Sequence, residues 1–316
     1  MRAVTIREGE IVVAEHPDPR PGRGEVLVRV KAAGLNGADQ MQQRGVYPPP
    51  PNSGVPEDVP GLELAGEVAA LGPGTTRFEI GDRVMAIVAG AGQAELAVVH
   101  ERQLMPVPAA LDWAAAGGTP EVFTTAYDAL FNQAQLASGD RLLVHGAAGG
   151  VGTAGVQLGA ATGARVTATV RSPESRDAVG ELGALHVIDP EGFGEHGPFD
   201  VILELVGAPN LAENVKALET QGRIVVIGIG AGAKAELNLG ALLYKRGRIS
   251  ASALRARPLE EKGLLARQLE RHVLPLFDLG ALCVPVAATF PLEEAAKAYE
   301  RFAAGGKVGK VVLTMD

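Results

Sequence analysis

The spacing of apolar and polar positions changes once along the chain. Up to about residue 118, short apolar runs at 26–30, 67–71, 83–88 and 96–99 are separated by glycine and proline, which predicts a β-rich region. A proline cluster, Pro48 to Pro51, followed by Asn52, Ser53 and Gly54, reads as an exposed loop. From about residue 119, helical stretches at 124–135, 151–162, 175–182 and 211–218 alternate with apolar strands at 142–144, 166–170, 201–205 and 224–227. Such alternation predicts a parallel sheet with right-handed crossovers. A helix at 292–303 and a last strand at 308–314 close the pattern.

Residues 141–171, RLLVHGAAGGVGTAGVQLGAATGARVTATVR, compress strand, glycine turn, small-residue helix and second strand into one stretch. This is the order of a dinucleotide-binding βαβ unit. Such a turn offers backbone N–H groups at a helix N-terminus to a pyrophosphate, with no side chains in the way. The hexapeptide Ala147-Ala148-Gly149-Gly150-Val151-Gly152 fits the fingerprint at its third and sixth glycines and departs from it at Ala147. Ala148, Gly149, Gly150, Val151 and Gly152 are therefore the candidate cofactor-binding residues of the turn. The alternative is a tight strand-to-helix turn without a ligand.

The end of the second strand bears on which dinucleotide binds. An NAD site presents an acidic residue about 20 positions beyond the glycines. Here the sequence runs Arg171-Ser172-Pro173-Glu174-Ser175-Arg176, and Glu174 lies past the strand end. Guanidinium and hydroxyl groups suit a 2′-phosphate. Arg171, Ser172 and Arg176 thus point to NADPH, with a solvated basic loop as the alternative.

Composition narrows the class further. A length of 316 residues favours two domains. The net charge of −8 and scattered basic residues argue against nucleic acid as a partner. One cysteine, Cys283, excludes an internal disulfide and any multi-cysteine metal site. No apolar run approaches the roughly 20 residues of a membrane span, and MRAVTIREGEIVV carries charges where a signal sequence has an apolar core. The expectation is a cytoplasmic protein with no membrane association.

AAGGVG followed by Gln157 and Gly163, together with AAGLNGADQMQQRGVYPPPP, PGLELAGEVAALGPG, GDRVMA, PEVFTTAYDAL and GGKVGKVVL, resembles the medium-chain dehydrogenase/reductase superfamily. Within it the chain is similar to the zinc-free, zeta-crystallin-like quinone oxidoreductases, over essentially its whole length. The resemblance implies an α/β protein. A GroES-like β-rich catalytic domain, residues 1–118 completed by 264–316, would surround a Rossmann dinucleotide-binding domain with a doubly wound parallel sheet, residues 119–263. It also implies a homodimer or homotetramer, for which the apolar stretch 237–243 is a candidate surface.

Zinc-dependent relatives carry a ligating cysteine near the Asn36 position and a histidine in a Gly-His-Glu turn. This chain has Asn36, and Gly61-Leu62-Glu63 puts leucine in place of the histidine. The expectation is no metal, because a catalytic zinc needs about three converging N, S or O ligands. An acceptor carbonyl would then be activated by hydrogen-bond donors, for which the resemblance suggests Asn36 and Tyr47; the alternatives are a turn-forming Asn36 after Gly34 and a Tyr47 that packs the proline loop. Asp39 reads as structural, and His145 as a packed strand-end residue. Thr125, Val206, Gly228 and Lys310 resemble family positions near the cofactor. Some bacterial relatives place a lysine and a tyrosine at the 2′-phosphate, where this chain has Ser175 and Pro190.

These readings converge on an NADPH-dependent, zinc-independent reductase of quinones or related α,β-unsaturated carbonyls. The alternatives are an enoyl-thioester reductase, and an NADPH-binding structural or RNA-binding protein with little turnover.

Overall fold

A computed structural model describes residues 1–51 and 53–315. The chain divides into two compact units. One comprises Met1–Thr124, Leu254–Gly305 and residues from Lys310 on; the other comprises Thr125–Ala253 and Gly306–Gly309.

The first unit opens with the antiparallel hairpin β1 (Arg2–Arg7) and β2 (Glu10–Glu15). It continues through β3 (Glu25–Gly34), β4 (Glu63–Leu71), β5 (Arg83–Ile87), β6 (Leu96–His100) and β7 (Met105–Pro106). Alternation decides which face is buried: Val26, Val28 and Val30 of β3 are fully buried, whereas Arg29 between them is exposed. Helix Gly37–Gln43 follows β3 directly, and helix Pro120–Tyr127 places its proline at the first turn, where a missing N–H breaks no hydrogen bond.

The second unit holds β8 (Arg141–Val144), β9 (Arg165–Thr169), β10 (His186–Ile188), β11 (Phe199–Glu204), β12 (Leu218–Val226) and β13 (Arg248–Ala251). All five neighbouring pairs are parallel, and the strand order is β10-β9-β8-β11-β12-β13. Counted from β8, this is the 3-2-1-4-5-6 order of a dinucleotide-binding sheet. The strand order reverses between β8 and β11, the place where such sheets bind their ligands. Helix Gly150–Thr162 crosses from β8 to β9. It lies tight on the sheet, since a Cβ on Gly159 would come within 2.6 Å of the Leu142 side chain and one on Gly155 within 2.8 Å of Leu203.

The chain returns to the first unit through helix Leu259–His272, and then forms β14 (Val286–Pro291), helix Ala295–Ala303 and β15 (Lys310–Thr314). β15 runs parallel to β14 and antiparallel to β3. The sheet order is therefore β14-β15-β3-β4-β5-β7, with β6 also on β3. The core of this unit includes Val26, Val28, Leu64 and Val84 together with Tyr299, Val311 and Leu313 from the returning segment. The core of the second unit is separate, around Leu143, Phe193, Phe199, Ile202 and Ile224.

Several elements differ in extent from the sequence pattern. The stretch expected as one helix over 124–135 is helix Pro120–Tyr127 followed by a wide π turn, Asp128–Gln133. The pattern did not indicate helix Leu259–His272 at all. Leu218, expected to end a helix, begins β12 and is fully buried.

Candidate active site

The candidate residues fall into two groups, one in each unit. In the second unit, β8 delivers the chain into the glycine turn. His145 at its end is fully buried; its Nε2 pairs with Asn214 Oδ1 at 2.8 Å and its Nδ1 with Thr169 Oγ1 at 3.2 Å. Burial holds its pKa below the usual histidine value. Asn214 in turn donates to Glu204, whose carboxylate also accepts from the backbone of Val206 (2.6 Å) and Gly207 (2.8 Å). A buried polar brace of this kind fixes the loops after β8, β9 and β11 relative to one another. The sequence identified His145 as packed; Glu204, a single polar residue inside an apolar run, and Asn214, one of several polar residues on a short helical stretch, gave no signal.

Gly149 caps helix Gly150–Thr162 without a side chain, and the first helical bond inside the chain is Thr153 N to Gly149 O at 2.8 Å. The amides of Gly150, Val151 and Gly152 thus have no acceptor among the described residues. Gly149 is exposed, and Ala148, Gly150 and Val151 are partly so. A Cβ on Gly152 would meet Gly146 O at 2.5 Å, so only glycine allows the turn to close. Free amides beside an open, Cβ-poor surface at the start of a 13-residue helix fit a pyrophosphate.

At the end of β9, Arg171 is exposed and has no partner among the described residues. Ser172 and Arg176 are placed differently. The Ser172 hydroxyl donates to Glu174, and Arg176 is held by Asp189 at 2.7 Å and Val170 O at 3.2 Å. The Glu174 carboxyl lies below the usual glutamate range because Ser172 donates to it. Thr125 is buried, and its Oγ1 has no hydrogen-bond partner among the described residues. Val206 O accepts from Ala231 N. Gly228 approaches β11 so closely that a Cβ would lie 2.1 Å from Leu205 O, which makes strand packing a sufficient reason for that glycine.

In the first unit a buried polar cluster sits where β3, β4 and β15 meet. Asn36 caps helix Gly37–Gln43, its backbone N–H donating to Asp39 at 2.8 Å. Its side-chain amide donates to Glu63 Oε1 at 2.9 Å and to Gly34 O at 3.4 Å, and its Oδ1 accepts from Lys310 at 2.7 Å. Lys310 is 2% exposed and also donates to Glu63 (2.6 Å) and Leu35 O (2.8 Å). Both residues are therefore engaged within the protein. Asn36 has no amide hydrogen left for an acceptor carbonyl, and Lys310 has no ammonium hydrogen left for a cofactor.

Asp39 is structural in its contacts, accepting also from Gly61 N at 3.1 Å. Burial pushes its pKa up to about 6. Gly34 carries no side chain for a steric reason: a Cβ there would meet Glu63 at 2.3 Å.

Tyr47 stands apart from this cluster. It is half-buried, and its hydroxyl has no hydrogen-bond partner among the described residues. The Arg255 guanidinium lies 5.1 Å from its ring centroid and donates to its backbone carbonyl at 2.7 Å. Burial raises the phenol's pKa, the charge of Arg255 lowers it, and Glu121 raises it again.

Glu121, in the first turn of helix Pro120–Tyr127, donates its backbone N–H to Glu63 at 2.8 Å. Its half-buried carboxyl has no partner of its own among the described residues. Burial, then the neighbouring Glu63, push its pKa up to about 8. Sequence reasoning passed over Glu121, Arg255 and Glu63. Glu63 was visible only as the residue after a missing histidine, and Arg255 lies in an irregular segment without periodicity. Among the described residues no group of three or more His, Cys, Asp or Glu is placed to hold a metal ion.

Comparison with known proteins places the chain. Its residues 22–132 match the model of the alcohol dehydrogenase GroES-like domain, and 150–270 that of the zinc-binding dehydrogenase domain. Together these define a medium-chain oxidoreductase with an NAD(P)-binding fold. The chain belongs to the quinone oxidoreductase branch of the medium-chain dehydrogenase/reductase superfamily. It is 32% identical to the quinone oxidoreductase of Rattus norvegicus over 334 aligned positions, covering all of this chain and 98% of the relative. It is also 32% identical to an acryloyl-coenzyme A reductase of Metallosphaera sedula, covering 99% of this chain and 100% of that one. A mycobacterial protein whose structure was solved with NADPH superposes with a TM-score of 0.87 at 26% identity, over the full length of both chains.

Proposed function

We infer that this oxidoreductase uses NADPH to reduce quinones or related α,β-unsaturated carbonyls, and that it does so without zinc. The observation carrying this reading is the Lys310 ammonium bonded to both Asn36 and Glu63. The cluster that in zinc-dependent relatives includes a metal ligand is here closed by a buried organic cation. A divalent ion beside it would meet strong repulsion at low dielectric, and neither Asn36 nor Leu62 supplies a metal-binding imidazole or thiolate.

NADPH, when bound, supplies the reducing equivalents. The amides of Gly150, Val151 and Gly152 would hold the pyrophosphate, the Arg171 guanidinium would meet the 2′-phosphate, and the Thr125 hydroxyl, without a partner among the described residues, could bind a polar group of the cofactor. The Tyr47 hydroxyl, unlike the Asn36 amide, is free to donate to the acceptor oxygen as negative charge builds on it.

Kinship with an acryloyl-coenzyme A reductase supports enoyl thioesters as a second acceptor class. The net charge of −8 speaks against an RNA-binding role. Oxidation of NADPH in the presence of 1,4-benzoquinone or 9,10-phenanthrenequinone tests the reading. The expected result is loss of NADPH above the uncatalysed rate, unaltered by prior chelation. Tight NADPH binding with no turnover across a quinone and enone panel sinks the reductase reading, and activity lost to a chelator and restored by zinc sinks the metal-free one.

A further inference from the structure

We propose that the acceptor carries an anionic group, a carboxylate, sulfonate or phosphate, held in a cavity of the first unit walled by Arg255, Arg257 and Lys262. The proposal rests on the reading of Tyr47 as the donor to the acceptor.

The cavity has a volume of about 400 Å³, within the range of small-molecule sites. Its described lining residues include three full cations, Arg255, Arg257 and Lys262, against one carboxylate, Glu25, in a chain whose net charge is −8. That carboxylate is already turned to the backbone N–H of Gly22, at 2.7 Å.

Arg255 is 4% exposed, yet all its hydrogen-bond partners among the described residues are neutral: Gln42 Oε1 at 2.6 Å, Tyr47 O at 2.7 Å and Ala89 O at 2.7 Å. Buried arginines are ordinarily paired with a carboxylate; Arg255 has no carboxylate bonded to it among the described residues, and Asp39 and Glu121 act on it only through space. Lys262 is half-buried, and its ammonium forms neither an ion pair nor a hydrogen bond among the described residues. Burial and then Arg255 hold its pKa down, and only Glu121 acts in the other direction. Arg257 is loosely paired with Glu261 at 3.8 Å. An incoming oxyanion would neutralise the Arg255 and Lys262 charges together in a site of low dielectric.

Arg255 also joins the two ends of this acceptor site. The guanidinium that faces the cavity holds the Tyr47 carbonyl and stacks on its ring. An acceptor whose anionic group met Arg255 and Lys262 would thus be anchored on the same guanidinium that holds Tyr47.

The test compares 1,4-naphthoquinone with its 2-sulfonate on the wild-type enzyme, Lys262→Met and Lys262→Arg. Comparing each variant with wild type, acceptor by acceptor, cancels the difference in reduction potential between the two quinones. Lys262→Met should raise the KM for the sulfonate about tenfold, at least about fivefold more than it raises the KM for the neutral quinone, and Lys262→Arg should restore most of the loss. Raising NaCl from about 20 to about 300 mM should weaken the sulfonate selectively. An equal KM change for both acceptors, or none for the sulfonate, overturns the proposal. If neither quinone is reduced, the reductase reading falls, and calorimetry with 2-naphthalenesulfonate decides the cavity alone. A Kd about tenfold weaker in Lys262→Met supports the site; equal Kd values, or no binding to either protein, overturn it.

Discussion

Tyr47 and Glu121 are half-buried polar side chains of the first unit whose functional groups have no hydrogen-bond partner among the described residues. If the Tyr47 hydroxyl meets the charge developing on the acceptor, Tyr47→Phe should lower kcat by about a hundredfold, with little change in NADPH affinity. Unchanged turnover in steady-state kinetics would return Tyr47 to a packing role. Glu121 acts on stability. Its folded-state pKa of about 8 lies above the ordinary value of 4.5, so its folded form binds the proton more tightly than the unfolded chain does. This contribution is fully present below pH about 4.5 and is lost as the pH rises through about 8. Glu121→Gln, which cannot ionise, should raise the melting temperature at pH 9 by about 2 °C or more relative to wild type and change it less at pH 5. A variant less stable than wild type by the same amount at both pH values would show that ionisation of Glu121 does not matter.

At the scale of elements, cofactor choice is set by the end of one strand. Arg171 leaves β9 exposed and unpaired, whereas Arg176 is tied to Asp189. Arg171→Ala should therefore reduce the preference for NADPH over NADH by about tenfold, as loss of a charge-assisted bond would, and Arg176→Ala should reduce it less. Fluorescence titration with both dinucleotides measures this, and equal affinities in the wild type would count against the 2′-phosphate reading.

The βαβ unit was legible because its glycines, its strand runs and its helix period all agree locally. Helix Leu259–His272 was not legible, because only Gly263, Leu265, Ala266 and Leu269 are buried on it, while Leu264 is exposed and most of the rest are charged. Lys262, on that same helix, was missed with it. In the site, the sequence identified Tyr47, Asn36 and Lys310 as notable but could not show that the last two bind each other. That pairing depends on β15 lying beside β3, a long-range fact no local pattern encodes.

For the whole molecule, β13 is an edge of the parallel sheet. The nearby helix Leu239–Lys245 presents Leu239, Leu243 and Tyr244 to solvent, the last 86% exposed. An exposed apolar face at a sheet edge marks a self-association surface, and we propose that copies of the chain pair there. Leu243→Asp should convert the dimer or tetramer to a monomer in light scattering, whereas a monomeric wild type would remove the proposal. Among the described residues no helix is long and apolar enough to cross a membrane.

The Lys310–Glu63 pair spans 247 residues of sequence, and this has a consequence for biosynthesis. Ribosomes release Glu63 early, but its counter-charge, Lys310, emerges only after the whole of Thr125–Ala253. Until then the Glu63 carboxylate cannot be buried without a strong penalty, so the first unit stays open while the dinucleotide-binding unit has all but its last short segment in hand. The order of synthesis therefore makes the cofactor unit first and the acceptor unit last. A nascent chain stalled before Lys310 could protect its parallel sheet from proteolysis, but it would hold no finished site for an acceptor.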